Sequence, residues 1–428
     1  MKSVEPFAQH GSEKMIYDIR MGPQCLHHDG AFYAVYQSNP ENGKALPHVI
    51  KRDQNGMWTT PIVLGDVSNY DHHFAPILWI DAQQHFHVVY HCHGRLNEAR
   101  HKISTAPLDI TLWRDGPPVT PSISYPRLLN CPSGQLLLYY RTLGHMGYWT
   151  YQISDDGGYT WQRPDVPLVD FDYRPEVPGD EWAGSYHSVA LGHDGKSLHM
   201  AFVYWDERKQ VHPLYKRTVG HMNRYNLYYM RLDLSSKKIY NVSGDELQRP
   251  VNRGDARKCL VVDTKNYLTN MPSILIDTED HPSFLVPISG ETLTNCAFWF
   301  VRREGNKWSH YRVTDANSAW NGSHLEYGAN GGITAFLIAR PQKADTLPYG
   351  GGLLQEWHSA DHGQTWTLSG EIVPQNGILC NNPKPVEDLK GALLKRTLVF
   401  YGWEGPDGIL PEGKFRGNVY VWQDGAWL

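Results

Sequence analysis

Ser154-Asp155-Asp156-Gly157-Gly158-Tyr159-Thr160-Trp161 and Ser359-Ala360-Asp361-His362-Gly363-Gln364-Thr365-Trp366 are two copies of one pattern, S-x-D-x-G-x-T-W, with starts 205 residues apart (359 − 154). Five positions recur in each copy. The pattern makes physical sense as a hairpin turn. The Asp side chain caps backbone N–H groups, the Gly supplies a positive φ, and the Trp plugs the space below. Two such turns in one chain point to a repeated unit rather than to unrelated hairpins.

Composition agrees with an all-β chain. The 428 residues include 25 Tyr, 15 Trp and 39 Gly, and only 20% are charged. Aromatic residues suit pleated surfaces, and many glycines suit many turns. Closed repeat folds run long as single domains, so residues 1–428 are read as one. A formal charge of −5 gives no general basic face and argues against nucleic acid as a partner. The six cysteines, at 25, 92, 131, 259, 296 and 380, form no C-x-x-C and no regular framework, so mostly free thiols are expected. The N-terminus has no apolar signal core, which suggests a cytoplasmic protein or a mature secreted or periplasmic form. No stretch approaches a transmembrane span, and a monomer away from membranes is expected.

Strand-like runs recur along the chain. Units open near residues 24, 74, 125, 186, 271, 324 and 382. Second strands are expected at 31–36, 86–91, 135–141, 197–205, 283–288, 332–339 and 394–403, after turns such as His28-Asp29-Gly30 and His193-Asp194-Gly195. Third strands follow at 148–154, 227–232, 297–302 and 353–359. Seven units of four strands make a seven-bladed β-propeller in a single domain. The long fourth unit carries an insertion around 209–225, and residues 418–422 are expected to pair with 14–19 to close the ring.

Four polar positions stand out. Asp71-His72-His73-Phe74-Ala75-Pro76 opens unit two, and its second strand ends in His87-Val88-Val89-Tyr90-His91-Cys92-His93-Gly94. His73 and His93 therefore fall near the same ends of two antiparallel strands. Unit three repeats this with Tyr125 and Arg141, so adjacent blades place all four on one rim of the channel. Singly, each has an ordinary explanation. Most of the 22 histidines, among them His72, His87, His91 and His101, read as packing or surface residues. The joint spacing of His73, His93, Tyr125 and Arg141 is what an active site requires.

The repeated turn resembles the Asp-box of sialidase-like propellers, where it joins the two outer strands of a blade. Asp-x-His-x-x-Pro, a His twenty residues on (93 − 73), then Tyr-Pro with an Arg sixteen residues later (141 − 125), resembles the BNR-type propeller lyases. These include the ulvan lyases and the L-rhamnose-α-1,4-D-glucuronate lyases. The strongest stretch is YPRLLNCPSGQLLLYYRTLGHMGYWTYQISDDGGYTW, residues 125–161.

The resemblance implies β-elimination at a uronic acid in a polysaccharide or oligosaccharide, with a 4,5-unsaturated uronate as product. Arg141 suits the neutralising role, because a guanidinium is always charged and binds carboxylate bidentately. Tyr125 and the histidines supply base and acid. Tyr186 is added as a substrate-orienting or relay phenol, and Arg224, Asn226 and Tyr228 as sugar-binding residues. No cofactor is needed for the chemistry. His145 is a candidate ligand for a structural Ca or Zn ion, with His212 and His221 within reach. Two rivals remain. A sialidase-like hydrolase shares the repeated turn but expects an Arg-Ile-Pro-like motif, which Met15-Ile16-Tyr17-Asp18-Ile19-Arg20-Met21-Gly22-Pro23 lacks. A non-catalytic carbohydrate-binding propeller has no need of clustered acid–base groups.

Overall fold

The computed structural model describes residues 17–38, 46–65, 71–93, 99–120, 122–144, 147–171, 183–206, 211–328, 331–339, 350–374, 377–404, 409–410, 414–415 and 417–428. Among these the chain is all-β. One four-residue α-helix, Arg253–Ala256, and short 3-10 turns are the exceptions. No helix of the described residues is long and apolar enough to cross a membrane. All six cysteines are free and buried.

The chain divides into two compact units, called unit one and unit two from here on and distinct from the seven strand units of the sequence. The first takes Met1–His145, Trp149–Asp165 and Val373–Leu428; the second takes Met146–Tyr148 and Val166–Ile372. In the first, Cys25–His28, Ala31–Ser38, Leu46–Arg52 and Ile62–Val63 form an antiparallel run. Further antiparallel sheets cover Ile77–Ile80 to Trp113–Asp115 and Ser124–Asn130 to Trp149–Ser154. Ile378–Asp388, Leu393–Glu404, Asn418–Gln423 and Ala426–Trp427 form another run, which joins the first through the parallel pairing of Leu26 with Glu387 and His27 with Asp388. In the second unit, sheets run from Ala183–Leu191 to Leu260–Val262, from Ser273–Ile276 to Lys307–Ala316, and from Ser323–Tyr327 to Thr367–Ile372.

One expectation falls partly outside the described residues, and one changes. Asn418–Gln423 pairs with Leu393–Glu404 on one side, and its last two residues, Trp422 and Gln423, pair with Trp427 and Ala426 on the other. The proposed partner strand at 14–19 lies outside the described residues up to 16, and Tyr17 meets a different strand through its hydroxyl, which donates to the Asn382 carbonyl at 2.8 Å. The long fourth segment owes its length not only to residues 211–223 but also to extra outer strands at Ile239–Tyr240, Glu246–Leu247 and Leu260–Val262. Its third strand starts early, at Arg224.

The two repeated turns are built alike. Asp156 Oδ1 accepts the backbone N–H of Tyr159 at 3.0 Å and of Thr160 at 2.9 Å; Asp361 Oδ1 accepts those of Gln364 at 3.1 Å and Thr365 at 2.9 Å. Ser154 and Ser359 each accept the N–H of the glycine four residues on, at 2.8 Å. Gly363 has φ 90°, and a Cβ there would stand 2.1 Å from the Phe300 ring. The position thus demands glycine twice over. The tryptophans do more than fill space: the Trp161 and Trp366 indoles donate to the Gly158 and Gly363 carbonyls at 3.1 and 3.0 Å. Partial burial raises the Asp156 carboxyl, but hydrogen bonds from the Thr160 hydroxyl and N–H, the Ser154 hydroxyl and the Tyr159 N–H outweigh it and pull the group down to about 2.

Beneath the first turn lies a buried histidine pair. His87 Nδ1 is 2.9 Å from His101 Nε2, and Trp79 stacks on both rings. Burial pushes both imidazoles down to about 4. They stay neutral in the fold, whereas the unfolded chain takes up protons below about 6.5. Stability from this pair is therefore fully present above about pH 6.5 and is lost as pH falls toward 4. The expected loss is on the order of a few kcal/mol, read as the urea midpoint between neutral and mildly acidic buffer. His101→Gln should flatten that slope, and an unchanged slope would exonerate the pair.

Candidate active site

Unit-one residues converge at the ends of two neighbouring hairpins. His73 sits in the 3-10 turn His72–Phe74, just before the strand Ile77–Ile80, and His93 follows Phe86–Tyr90. The Phe74 carbonyl accepts the His91 N–H at 3.1 Å, which ties the two ends together. Tyr125 opens Ser124–Asn130 and Arg141 closes Leu136–Arg141, with Arg141 opposite Ser124 across a register shift.

The side chains form a directed chain. Asp71 Oδ1 lies 2.5 Å from His73 Nδ1 and also accepts the His73 backbone N–H at 3.0 Å. A carboxylate can only accept here, so His73 carries its proton on Nδ1 and presents a lone pair at Nε2. The Tyr125 hydroxyl stands 3.1 Å from that Nε2 and donates to it. His93 stacks on His73 with ring centres 3.9 Å apart and planes 12° apart. The Arg141 guanidinium carbon lies 4.7 Å from the Tyr125 ring centre. Arg141 and Tyr125 are each 1% exposed, while the side chains of Asp71, His73 and His93 keep 33%, 13% and 16%. The imidazoles and Asp71 thus face outward and the cation and phenol lie beneath them.

Sequence reasoning missed two members. Asp18 and Arg20 form a buried ion pair, and the Arg20 guanidinium carbon stands 3.8 Å from the Tyr125 ring centre. Asp18 Oδ2 is also 3.8 Å from His73 Nε2. The Asp-x-Arg at residues 18–20 was their one sequence signal. Asp71 belongs to the Asp-x-His motif, and the fold makes it the carboxylate that orients His73.

The remaining expected residues lie in unit two. The Arg224 guanidinium is 4.0 Å from the Tyr186 ring centre and 4.3 Å from that of Trp320, and donates to Asn270 Oδ1. Asn226 donates to the Tyr228 hydroxyl at 3.0 Å and accepts the Thr264 N–H at 2.9 Å. Burial pushes the Tyr228 phenol up, and the Asn226 bond opposes that shift.

His145 lies outside the described residues. His212 is committed elsewhere: its Nδ1 accepts the Leu214 and Tyr215 backbone N–H groups at 3.1 and 3.3 Å. Among the described residues, the cluster that could gather around a cation is instead Asp71, His73 and His93, whose ligand atoms lie within 4.8 Å of one another. The fit is poor. Nearly parallel stacked rings do not aim two lone pairs at one tetrahedral centre, and both His73 nitrogens already face partners.

A description of the BNR repeat-containing family matches residues 31–316. The chain belongs to that family. It is 27% identical over 418 residues to an ulvan lyase of Nonlabens ulvanivorans, covering 89% of this chain and 84% of that protein. It is 26% identical over 322 residues to an ulvan lyase of Alteromonas sp. (strain LOR), covering 67% of this chain. The match spans 63% of the Alteromonas protein and 57% of a PL25 ulvan lyase of Pseudoalteromonas sp. (strain PLSV). In structure, this BNR-family chain superposes over its whole length on a PL25 ulvan lyase, with TM-score 0.79, 20% identity and 97% of that chain covered. A second polysaccharide lyase, Uly1, gives TM-score 0.62 at 10% identity, covering 94% of this chain and 90% of the other. The all-β fold of this family member is therefore that of the β-propeller-like ulvan lyases.

Zinc or calcium titrated calorimetrically into the wild type and His93→Ala is expected to give the same isotherm. Cation uptake that vanishes with His93 would assign the outward-facing trio to a metal.

Proposed function

We propose that the chain is a polysaccharide lyase that cleaves a rhamnose–glucuronate linkage by β-elimination. The Asp71–His73–Tyr125 hydrogen-bond chain beside Arg141 carries this reading. Relatives described as ulvan lyases support it, as does a fold neighbour solved with -[GlcA(1-4)Rha3S]-.

The C5 proton of a uronate becomes labile only when the neighbouring carboxylate is neutralised. Arg141, with the outward imidazoles, supplies cationic and hydrogen-bonding partners for the enolate-like charge. His73 draws on the Tyr125 O–H through Nε2, and Asp71 fixes the tautomer that lets it do so. With its own proton passed to His73 Nε2, the Tyr125 phenolate takes the C5 proton. The C4–O4 bond breaks, the C4–C5 double bond forms, and the same phenol returns the proton to O4. In a glucuronate the C5 proton and O4 share a face, so one residue can serve both steps. We place Tyr186, Arg224, Asn226 and Tyr228 as sugar-binding groups of the second unit. The seven sheet-forming segments are read as the blades of one propeller. The substrate class is a uronate-containing polysaccharide or oligosaccharide.

A hydrolase reading finds little support in the carboxylates. Asp18 is bound to Arg20 and Asp71 to His73, so among the described residues of this cluster neither carboxylate belongs to a free pair of the kind glycoside hydrolysis uses.

Incubation with ulvan and with gum arabic in parallel is expected to release unsaturated uronate from at least one, with no label from heavy-oxygen water beyond anomeric exchange. Solvent oxygen in the new ends would establish hydrolysis instead. Arg141→Ala is expected to lose on the order of 100- to 1,000-fold in kcat. Arg141→Lys should also be poor, since a point charge does not reproduce the planar fork. Tyr125→Phe should bind substrate and fail to turn over. If Tyr125→Phe is active and His73→Ala is not, the base is the histidine.

A further inference from the structure

Asp18 and Arg20 stand in the unit-one cluster without a part in the elimination described above. Their placement is strongly determined. Asp18 Oδ1 accepts the Arg20 backbone N–H at 2.9 Å, and both carboxylate oxygens accept from the Arg20 guanidinium. The segment that carries them is sewn to the strand of Tyr125: Gly22 N–H donates to the Pro126 carbonyl at 3.1 Å, and Leu128 N–H to the Gly22 carbonyl at 2.9 Å. On its other side Lys384, buried, donates to the Met21 carbonyl, and Tyr17 donates to the Asn382 carbonyl. A flat guanidinium held this firmly is a surface against which a ring can be set. The ring it meets belongs to a residue with φ 58°, a backbone state that Tyr does not choose unaided.

We propose that Arg20, clamped by Asp18, is a positioning residue for Tyr125: its guanidinium, stacked 3.8 Å from the ring centre, fixes the phenol so that the hydroxyl meets His73 Nε2. The reaction it would serve is the lyase chemistry proposed above, and on that reading it rests. Arg20 does not touch substrate in this role. It holds the group that does, and its loss acts on turnover rather than on binding.

One readout needs no reaction. In the full chain labelled with nitrogen-15 histidine, the Nε2 resonance of His73, assigned by its disappearance in His73→Gln, reports the hydrogen bond from Tyr125. Arg20→Met keeps bulk and removes the planar cation. It is expected to move that resonance most of the way to its position in Tyr125→Phe. It should also lower kcat on the order of 100-fold, the effect of misplacing a reacting group by about 1 Å, with KM within about twofold. Arg20→Lys keeps the charge but not the plane and should behave like Arg20→Met. An unmoved Nε2 resonance in Arg20→Met overturns the assignment, as does full recovery of both readouts by Arg20→Lys. Should Arg20→Met prove too unstable, Asp18→Asn loosens the clamp and should move Nε2 in the same direction; no movement there also overturns it. Failure of the lyase reading looks different: the wild type would release no unsaturated uronate, while the His73 resonance would still answer for Arg20.

Discussion

Opposite Arg141 the ladder between Ser124–Asn130 and Leu136–Arg141 slips, and Tyr125 takes φ 58° directly before Pro126. Both facts oppose the ordinary preferences of the backbone. A bulky residue avoids positive φ, and a residue before proline is pushed toward extended conformations. Strain of about 1–3 kcal/mol persists only where the surroundings over-determine it. Here they do: the ring meets two guanidinium groups, lies nearly parallel to Trp149 at 6.1 Å, and its hydroxyl is bonded to His73. Bulges beside reaction centres re-aim side chains in this way. The rest of the unit-one site is arranged around that one residue.

The elements that a short-range pattern can describe were legible in the chain. The repeated turns announce themselves because Asp, Gly and Trp each answer a local need. His73, His93, Tyr125 and Arg141 could be brought together on paper because antiparallel hairpins put the start of one strand beside the end of the next. Asp18 and Arg20 could not. They lie in an irregular segment with no periodicity, fixed to the Tyr125 strand by backbone hydrogen bonds across about a hundred residues of chain. Lys384 gave no signal either, since a lysine between two prolines reads as an exposed strand end.

Unit one buries an unusual share of charge around this site. Lys384 is buried, and burial pushes its amine well below its ordinary range, with Arg127 adding to the shift. Burial raises the Glu387 carboxyl, and Arg127, 2.6 Å away, opposes that rise. Groups of this kind contribute little net stability, because desolvation offsets their attraction. Their value lies in geometry: each holds a particular carbonyl or side chain in one place, and together they fix the segment that meets the Tyr125 strand.

The parallel contact of Leu26 and His27 with Glu387 and Asp388 joins residues more than 350 positions apart (387 − 26). Unit one is accordingly discontinuous, while nearly all of unit two is one uninterrupted stretch. During synthesis, the strand at residues 25–28 must wait, with one edge unpaired, until residues 378–388 have been made. An exposed strand edge is a template for wrong pairing, and long-range pairings form slowly. The nascent chain therefore has a window, set by the ribosome rather than by the finished structure, in which unit two can be complete and unit one cannot. Chaperone dependence and aggregation in this protein should concentrate in that interval.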